Sequence, residues 1–246
     1  MGLSVNEIAY ATRLRSEKLY QLNYAKHYRS LDDAEIKTAH SRLMRNRLEA
    51  LVNAAGPRPL VVDFACGTGR YFNAVRKARL LIAIDASNPM LEMAKRPVLE
   101  EHGLPAKIEL RLGSFDRLDQ IDEGSIDFTH AIGVFGNHCP LNVAQINQFY
   151  RILRPGGVFF FTVADAANRI ANRKTFKRKV AEAAYSFLPW KWKVKLDLRW
   201  IDISLDENQI AELLAKSLFN GGVIEAEMIL PESWDGRHFW MTATKL

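Results

Sequence analysis

Short runs rich in β-branched and aromatic residues alternate with helical stretches over residues 60–163. The candidate strands read LVVDF, LLIAID, KIELRL, IDFTHAI and GVFFFTV. Between them lie three helix candidates, RYFNAVRKA, NPMLEMAKRPVLEEH and NVAQINQFYRIL. Strands that are apolar along most of their length are typical of a parallel sheet covered by helices on both faces. The pattern predicts an α/β fold with a doubly wound, mostly parallel sheet.

The flanking segments extend this fold. Residues 4–55 place apolar side chains three and four apart, which predicts a helical cap ended by Gly56 and Pro57. A helix starting near Asp206 and two strands, VIEAEMIL and RHFWMTATKL, follow at the other end and make seven strands in all. We divide the chain into a cap (1–56), a core (57–164 and 203–246) and an inserted segment (165–202).

The composition excludes several classes of protein. No apolar run reaches the roughly 20 residues that cross a bilayer, and the first residues lack the order of a signal peptide. Cys66 and Cys139 have neither metal-binding nor disulfide spacing. We expect a soluble, cytoplasmic protein without a metal site, and no feature of the sequence predicts an oligomeric state.

The turn after the first predicted strand, in VVDFACGTGRYF, is the place where a ligand is expected. Gly67 and Gly69 allow a close approach to the main chain. A phosphate loop would need Gly-Lys followed by Ser or Thr, and a dinucleotide fingerprint would need a glycine where Phe72 stands. Asp85 ends the second strand, where a carboxylate can accept both hydroxyls of a ribose. These residues indicate a ribose and leave the rest of the cofactor open.

Five segments together carry a resemblance to a known family. They are VVDFACGTGR, IAIDASNPML, LGSFDRL, SIDFTHAIGVFGNH and ILRPGGVFFFTV. In order and spacing the chain resembles the class I S-adenosylmethionine-dependent methyltransferases over residues 60–163 and, more loosely, near its end. One departure is Ala65, where the family often has glycine. The resemblance implies a Rossmann-like sheet, S-adenosyl-L-methionine as cofactor and S-adenosyl-L-homocysteine as product.

The same resemblance implies roles for individual residues at the strand ends. Asp63 and the backbone from Ala65 to Gly69 would surround the methionine part of the cofactor, and Asp85 would bind the ribose hydroxyls. The remaining implied contacts are Ala86 and Met90 beside the adenosine, Ser114 and Phe115 beside the adenine, and Ala131, Ile132 and Gly133 on the methionine side.

The cap contains a further candidate in NYAKHYRSL, which resembles the aromatic segment that many small-molecule members place before the sheet. Tyr24 and Tyr28 are four residues apart and share one helical face. Either ring is a candidate to contact the sulfonium or the carboxylate of the cofactor. The alternative is that these rings pack the cap against the core.

Catalysis by such a protein requires alignment of a nucleophile, exclusion of water and, for a protonated nucleophile, a base. His138 follows the fourth predicted strand and is the candidate base, since a histidine can take a proton near neutral pH. Asn137 is a second polar candidate. The alternative is that His138 only hydrogen-bonds to the backbone of its loop. A nucleophilic role for Cys139 is not expected, because only Cys66 could join it.

The inserted segment should bound the acceptor. Between Asp165 and Arg199, ten lysines and arginines oppose three acids, so this stretch has a net charge of +7. The whole chain has a net charge of +6, so the remaining residues sum to −1. It also contains six aromatic residues: Phe176, Tyr185, Phe187, Trp190, Trp192 and the neighbouring Trp200. The segment is either a solvated lid or a surface for an acidic or amphiphilic acceptor, or for anionic lipid.

These observations predict methyl transfer to an oxygen or nitrogen of a small-molecule acceptor, with natural products and lipophilic metabolites as candidates. Two alternatives stay open: a cofactor-binding partner subunit without catalysis, and a lipid methyltransferase at an anionic membrane surface. Nucleic acid is disfavoured as a partner, because the sequence contains no Asn-Pro-Pro-Tyr or Asp-Pro-Pro-Tyr motif and no separate RNA-binding module.

Overall fold

The computed structural model describes residues 20–98, 103–136, 139–166, 204–229 and 238–246. The strands in these ranges are β1 (Leu60–Phe64), β2 (Leu80–Asp85), β3 (Ile108–Leu112), β4 (Ile126–Phe135), β5 (Leu153–Ala164), β6 (Ile224–Ile229) and β7 (His238–Thr244). The α-helices are α1 (Leu22–Glu35), α2 (Ala39–Ala55), α3 (Asn88–Ala94), α4 (Val143–Ile152) and α5 (Glu207–Ala215). Short 3-10 helices span Phe72–Val75 and Phe115–Gln120.

The strands form one sheet in the order β3-β2-β1-β4-β5-β7-β6. β1 to β5 pair in parallel, whereas β7 runs antiparallel to both β5 and β6. The predicted seven-stranded, Rossmann-like sheet is confirmed, and its two antiparallel pairings make it a mixed sheet. A parallel connection needs a crossover of a dozen or more residues. Only residues 230–237 separate β6 from β7, which is too short for a parallel pairing of these two strands.

The order of the strands reverses between β1 and β4. From β1 the chain proceeds to β2 and β3 on one side, and β4 and β5 then extend the sheet on the other side. Ligands of such sheets bind in the crevice outside the carboxyl ends of the strands at this reversal. The turn that follows Phe64 therefore lies where a ligand is expected.

Helices pack against both faces of the sheet. On one face α2 presents Met44, Leu48 and Val52, which recur every four residues and are buried against β1 and β4. On the other face Phe149 of α4 stacks on Phe159 of β5, with ring centroids 4.2 Å apart. Aromatic pairs of this kind contribute roughly 0.5–1.5 kcal/mol beyond the burial of their area. The two layers hold the carboxyl edge of the sheet in place.

The first crossover differs from the prediction. RYFNAVRKA was expected to form a helix, but only Phe72–Val75 are helical and they form a 3-10 turn. All four residues are buried, so this segment has no exposed face of the kind that an amphipathic helix presents.

No helix among the described residues is both long and apolar enough to cross a bilayer. The predicted insert 165–202, apart from its first two residues, and the chain before Tyr20 lie outside the described residues.

Candidate functional site

The turn after β1 exposes its main chain at the carboxyl edge of the sheet. Gly67 and Gly69 have φ values of 57° and 82°, which residues with a side chain rarely adopt. A Cβ at Gly69 would lie 2.9 Å from a ring carbon of Phe72 and 3.1 Å from the Cβ of Pro97. At Gly67 the nearest atom is 3.8 Å away, on the Tyr28 ring. Packing therefore requires glycine at Gly69, whereas Gly67 leaves a strip of main chain open below Tyr28.

Ala65 shares the left-handed conformation of the glycines, with φ of 59°. This conformation costs a residue with a Cβ roughly 1–2 kcal/mol. Replacing Ala65 by glycine would remove this cost, but part of the benefit is lost because glycine makes the unfolded chain more flexible. Ala65→Gly is therefore expected to stabilise the protein by about 0.5–1 kcal/mol and to raise Tm by about 1–4 °C in thermal unfolding. As a control, Ala50→Gly on the exposed face of α2 should lower Tm. An unchanged or lower Tm for Ala65→Gly would show that the turn is not strained.

Asp85 at the end of β2 ties the glycine turn to the next loop. Its Oδ2 accepts the Gly67 N–H at 2.8 Å, and its Oδ1 accepts the Ser87 N–H at 2.9 Å. The Ser87 hydroxyl accepts the Met90 N–H at the start of α3 and donates to the Tyr20 carbonyl. Burial raises the pKa of Asp85 to about 6, against the opposing effect of the main-chain donors. At neutral pH the site therefore holds a carboxylate beside the open turn.

A buried ion-pair network joins α1 to the same turn. The fully buried Asp32 accepts a hydrogen bond from the Thr68 hydroxyl and pairs with the Arg70 guanidinium. Arg70 also pairs with Glu35 at 3.0 Å, and its guanidinium carbon lies 5.9 Å from the centroid of the Tyr28 ring. Burial raises the pKa of Asp32, and the guanidinium opposes that rise. Since Tyr28 and Asp32 share a face of α1, these ion pairs also hold Tyr28 over the turn.

A second buried pair lies where β1 and β4 meet. Asp63 and His130 are register partners on the two strands, and the Nδ1 atom of His130 is 3.4 Å from Oδ1 of Asp63. Burial, followed by the charge of Asp85, raises the pKa of Asp63 well above its usual value. Burial lowers the pKa of His130 to about 3. Both side chains are therefore driven toward their neutral forms.

A cavity of about 160 Å³ opens between α1, α2, the glycine turn and the carboxyl edge of the sheet. The lining side chains and main chain that matter for its chemistry belong to Tyr28, His40, Asp63, Gly67, His238 and Trp240. Burial, with the charges of His238 and Arg70, lowers the pKa of His40, so its imidazole is neutral at neutral pH. The cavity thus combines a buried aspartic acid, Asp63, with an open main chain and a neutral imidazole. Within the described ranges, no group of three or more His, Cys, Asp or Glu could hold a metal ion.

A family model described as "Methyltransferase domain" matches residues 61–157. Over these residues the chain matches the methyltransferase-domain family. The family resemblance seen in the five sequence segments is thereby confirmed. No curated protein matched the sequence.

Solved structures share the fold of this methyltransferase domain. The 1,6-didemethyltoxoflavin-N1-methyltransferase of Burkholderia thailandensis, with bound 1,6-didemethyltoxoflavin and S-adenosylhomocysteine, is 17% identical with a TM-score of 0.58, over 100% of this chain and 92% of that one. The N-methyltransferase NodS of Bradyrhizobium japonicum WM9, in complex with S-adenosyl-L-homocysteine, is 15% identical with a TM-score of 0.57, over 86% and 90%. At these identities the likeness shows the fold.

A third structure, phosphoethanolamine N-methyltransferase 2 of Haemonchus contortus, was solved with phosphomonomethylethanolamine and S-adenosylhomocysteine. It is 16% identical with a TM-score of 0.54, over 81% of this chain and 52% of that one. This likeness, too, shows the fold alone.

The methyltransferase domain brings part of the predicted site together. Six of the predicted residues line the cavity: Tyr28, Asp63, Ala65, Gly67, Ile132 and Gly133. Asp85 joins them through its hydrogen bond to Gly67. Tyr24, the alternative to Tyr28, also lines the cavity and stacks on Tyr28 with ring centroids 6.1 Å apart. The two tyrosines thus lie together at the cavity and not on opposite sides of the cap.

Other predicted residues lie apart from the cavity. Met90 is buried in α3 and Ala131 is buried in the core cluster shared with α4. Ala86 follows Asp85 in the loop, and Ser114 precedes the second 3-10 helix, which begins at Phe115. His138 and Asn137 lie outside the described residues.

Sequence reasoning missed several side chains that the cap, the glycine turn and the last strand bring to the cavity. They belong to Asp32, His40, Thr68, Arg70 and His238. Two of them had a signal in the sequence: Asp32 follows Tyr28 by one helical turn, and Arg70 directly follows the second glycine of the motif. His40 and His238 are 198 positions apart, and only the fold brings them to one wall.

Proposed function

We propose that the chain is an S-adenosyl-L-methionine-dependent methyltransferase that moves a methyl group to an oxygen or nitrogen of a small-molecule acceptor. The observation that carries this proposal is the hydrogen bond between the Gly67 main chain and Asp85 at the strand reversal, next to the cavity. It places a carboxylate and an open strip of backbone side by side.

The residues present fit this cofactor in three respects. The Asp85 carboxylate retains acceptor capacity beyond the main-chain donors Gly67, Ser87 and Ala86, which suits ribose hydroxyls. Gly67 leaves open the space that a side chain would fill. Asp63 supplies an acid on the cavity wall for a cationic ligand. When bound, the cofactor supplies an electrophilic methyl group on its sulfonium.

The other cofactor contacts implied by the sequence remain part of this proposal. Ala86, Met90, Ser114 and Phe115 would contact the adenosine. Ala131 and Ile132 would flank the methionine side. Ala131 would do so through its main chain, because its side chain belongs to the core cluster on the α4 face.

We place the acceptor on the cap side of the cavity, against His40, His238 and Trp240. The ring centroid of His40 is 5.8 Å from that of Trp240, so the wall offers an aromatic surface with imidazole nitrogens beside it. A cavity covered by α1 and α2 suits a small molecule. The toxoflavin and phosphoethanolamine enzymes are named for small molecules, which supports this substrate class. The chain's own task is to orient the acceptor, exclude water and receive its proton.

His138 is the proposed base, and His40 is the alternative that the cavity offers. His138→Ala is expected to lower turnover by roughly 10²–10⁴-fold, because that is the usual contribution of a positioned base. The dissociation constant of S-adenosyl-L-homocysteine should stay close to that of the unmodified protein. His40→Ala measured in parallel assigns the role: wild-type turnover in His138→Ala together with slow turnover in His40→Ala would make His40 the base.

Two measurements on the full chain test the proposed function. Calorimetry with S-adenosyl-L-homocysteine should detect binding, and incubation with methyl-labelled S-adenosyl-L-methionine and a metabolite extract should label a small molecule. Absence of binding would overturn the proposal. Binding without transfer to any fraction of the extract would instead favour the noncatalytic partner subunit.

A further inference from the structure

His130 is a buried polar residue in the middle of the central strand β4. Its side chain is fully buried, and neither ring nitrogen has a hydrogen-bond partner among the described residues. Its ring lies 5.7 Å from that of Phe128, and its register partner on β5 is Phe160. A leucine or phenylalanine would suit these apolar neighbours better, because buried polar groups without partners destabilise a fold. Packing alone therefore does not explain why a histidine stands at this position.

The reason lies on the adjacent strand. The Nδ1 atom of His130 lies 3.4 Å from Oδ1 of Asp63. Asp63 is itself 5% exposed and lines the cavity. A distance of 3.4 Å is long for a hydrogen bond, so the two groups are close but not yet joined. If this distance shortened, Asp63 at the cavity and His130 would form a hydrogen bond.

The surroundings of Asp63 decide its protonation. Asp85 and Cys66 approach it from the neighbouring strand and the turn. The remaining titratable groups face it across the cavity from the cap, the turn and β7: Tyr24, Tyr28, Asp32, Glu35, His40, Arg70, Tyr71 and His238. Because burial and the charge of Asp85 raise the pKa of Asp63, it retains a proton over a wider pH range than an ordinary aspartate. Burial keeps the His130 ring neutral, so it does not take up that proton.

We propose that His130 is a positioning residue for Asp63, and that binding of a cationic ligand in the cavity is coupled to loss of the Asp63 proton. On binding, the O–H bond of Asp63 breaks, its proton leaves to solvent, and the negative charge formed balances the ammonium group of the ligand. The neutral His130 ring then donates its Nδ1–H to the new carboxylate and fixes its orientation. The inference rests on the proposed function, because the ammonium group is that of the cofactor.

Calorimetry with S-adenosyl-L-homocysteine between about pH 6 and 8.5, in two buffers of different ionisation enthalpy, counts the protons released on binding. The unmodified protein should release protons and bind more tightly as the pH rises. Asp85 also ionises near the lower end of this pH range and contributes to the number of protons counted. Asp63→Asn leaves Asp85 unchanged, so this variant isolates the contribution of Asp63. This variant should release fewer protons than the unmodified protein at each pH.

Two substitutions of His130 separate positioning from packing. His130→Leu should weaken binding about tenfold near pH 7, because it removes a hydrogen bond to a charged group, and the deficit should shrink as the pH rises. His130→Asn keeps an N–H donor and should restore most of the affinity. His27→Leu, at an exposed position on α1, is the matched control and should bind normally. Equal affinity and equal proton release for His130→Leu and the unmodified protein would overturn the proposal.

An NMR titration of the Asp63 carboxyl carbon in the ligand-free protein tests the pair without any ligand. A donor from His130 stabilises the carboxylate, so the pKa of Asp63 should be higher in His130→Leu than in the unmodified protein. An unchanged or lower pKa would overturn the role of His130 even if the cofactor binds. If S-adenosyl-L-homocysteine does not bind at all, the proposed function and the coupling to it fail, while this titration still decides whether His130 supports the ionised Asp63.

Discussion

Asp85→Ala is expected to raise the dissociation constant of S-adenosyl-L-homocysteine by about a hundredfold. Hydrogen bonds to a charged group contribute roughly 1.5–3 kcal/mol each, and the proposed ribose contacts would be lost together. The substitution also removes the acceptor of the Gly67 and Ser87 N–H groups, so the turn loses one of its contacts with β2. The measurement is calorimetry at neutral pH. Unchanged affinity would show that the ribose does not bind at Asp85.

Two further variants make the Asp85 experiment specific. Asp85→Asn keeps a side-chain oxygen and should lose less affinity than Asp85→Ala. Glu123→Ala removes an exposed carboxylate far from the turn in sequence and should bind normally. If Glu123→Ala weakened binding as much as Asp85→Ala, the effect would reflect net charge and not a contact.

The pH dependence of binding has a defined sign at the same residue. Burial raises the pKa of Asp85 to about 6, so the carboxylate that would accept ribose hydroxyls becomes protonated as the pH falls through this value. Affinity should therefore decline below about pH 6. Ionisation of Asp85 has the opposite effect on the stability of the fold. Because the folded protein holds this proton more tightly than the unfolded chain, ionisation of Asp85 lowers stability as the pH rises from about 4 to 6.

Arg70→Met is expected to have the largest effect on stability. It leaves the fully buried Asp32 without its cationic partner, and breaking a buried ion pair in this way costs roughly 3–5 kcal/mol. Tm should fall by about 10 °C for a chain of this size. The cofactor affinity should also fall, because the same network holds α1 and Tyr28 over the glycine turn. Thermal unfolding and calorimetry measure the two effects.

The double variant Arg70→Met with Asp32→Asn tests the physical reason. Removing the uncompensated charge should restore much of the lost stability, and the thermodynamic cycle isolates the interaction between the two residues. Lys95→Met, which breaks an exposed pair with Glu92, should cost less than about 1 kcal/mol. No recovery in the double variant would show that Arg70 acts through packing and not through its charge.

Much of the proposed cofactor half of the site could be predicted from local sequence. The glycines after β1 precede the acid that ends β2 by 16 and 18 positions, and the parallel pairing of β1 with β2 brings them together in any sheet of this type. Their proposed roles follow from backbone geometry and from the position of strand ends, which periodicity in the sequence already indicates. The conformation of Ala65 could not be predicted in this way, since nothing in a residue type reports a positive φ.

The network around Asp32 and the histidines of the cavity required the fold. The hydrogen-bond partners of Asp32 lie 36 and 38 positions away in sequence, at Thr68 and Arg70. An acidic residue in an amphipathic helix resembles a solvated one until the packing of that helix is known. Likewise, His238 reaches the cavity because β7 runs antiparallel to β5, which places the start of β7 at the carboxyl edge of the sheet.

The sequence by itself determined the class of sheet, the turn that would meet a ligand and the acid beside it, because strand periodicity and glycine spacing act over a few residues. Tertiary structure decided which side chains share the cavity and which charges are buried. Register is the physical reason. His130 is opposite Asp63 because β1 and β4 pair in parallel at that register, and a shift by one residue would place the two side chains on opposite faces of the sheet.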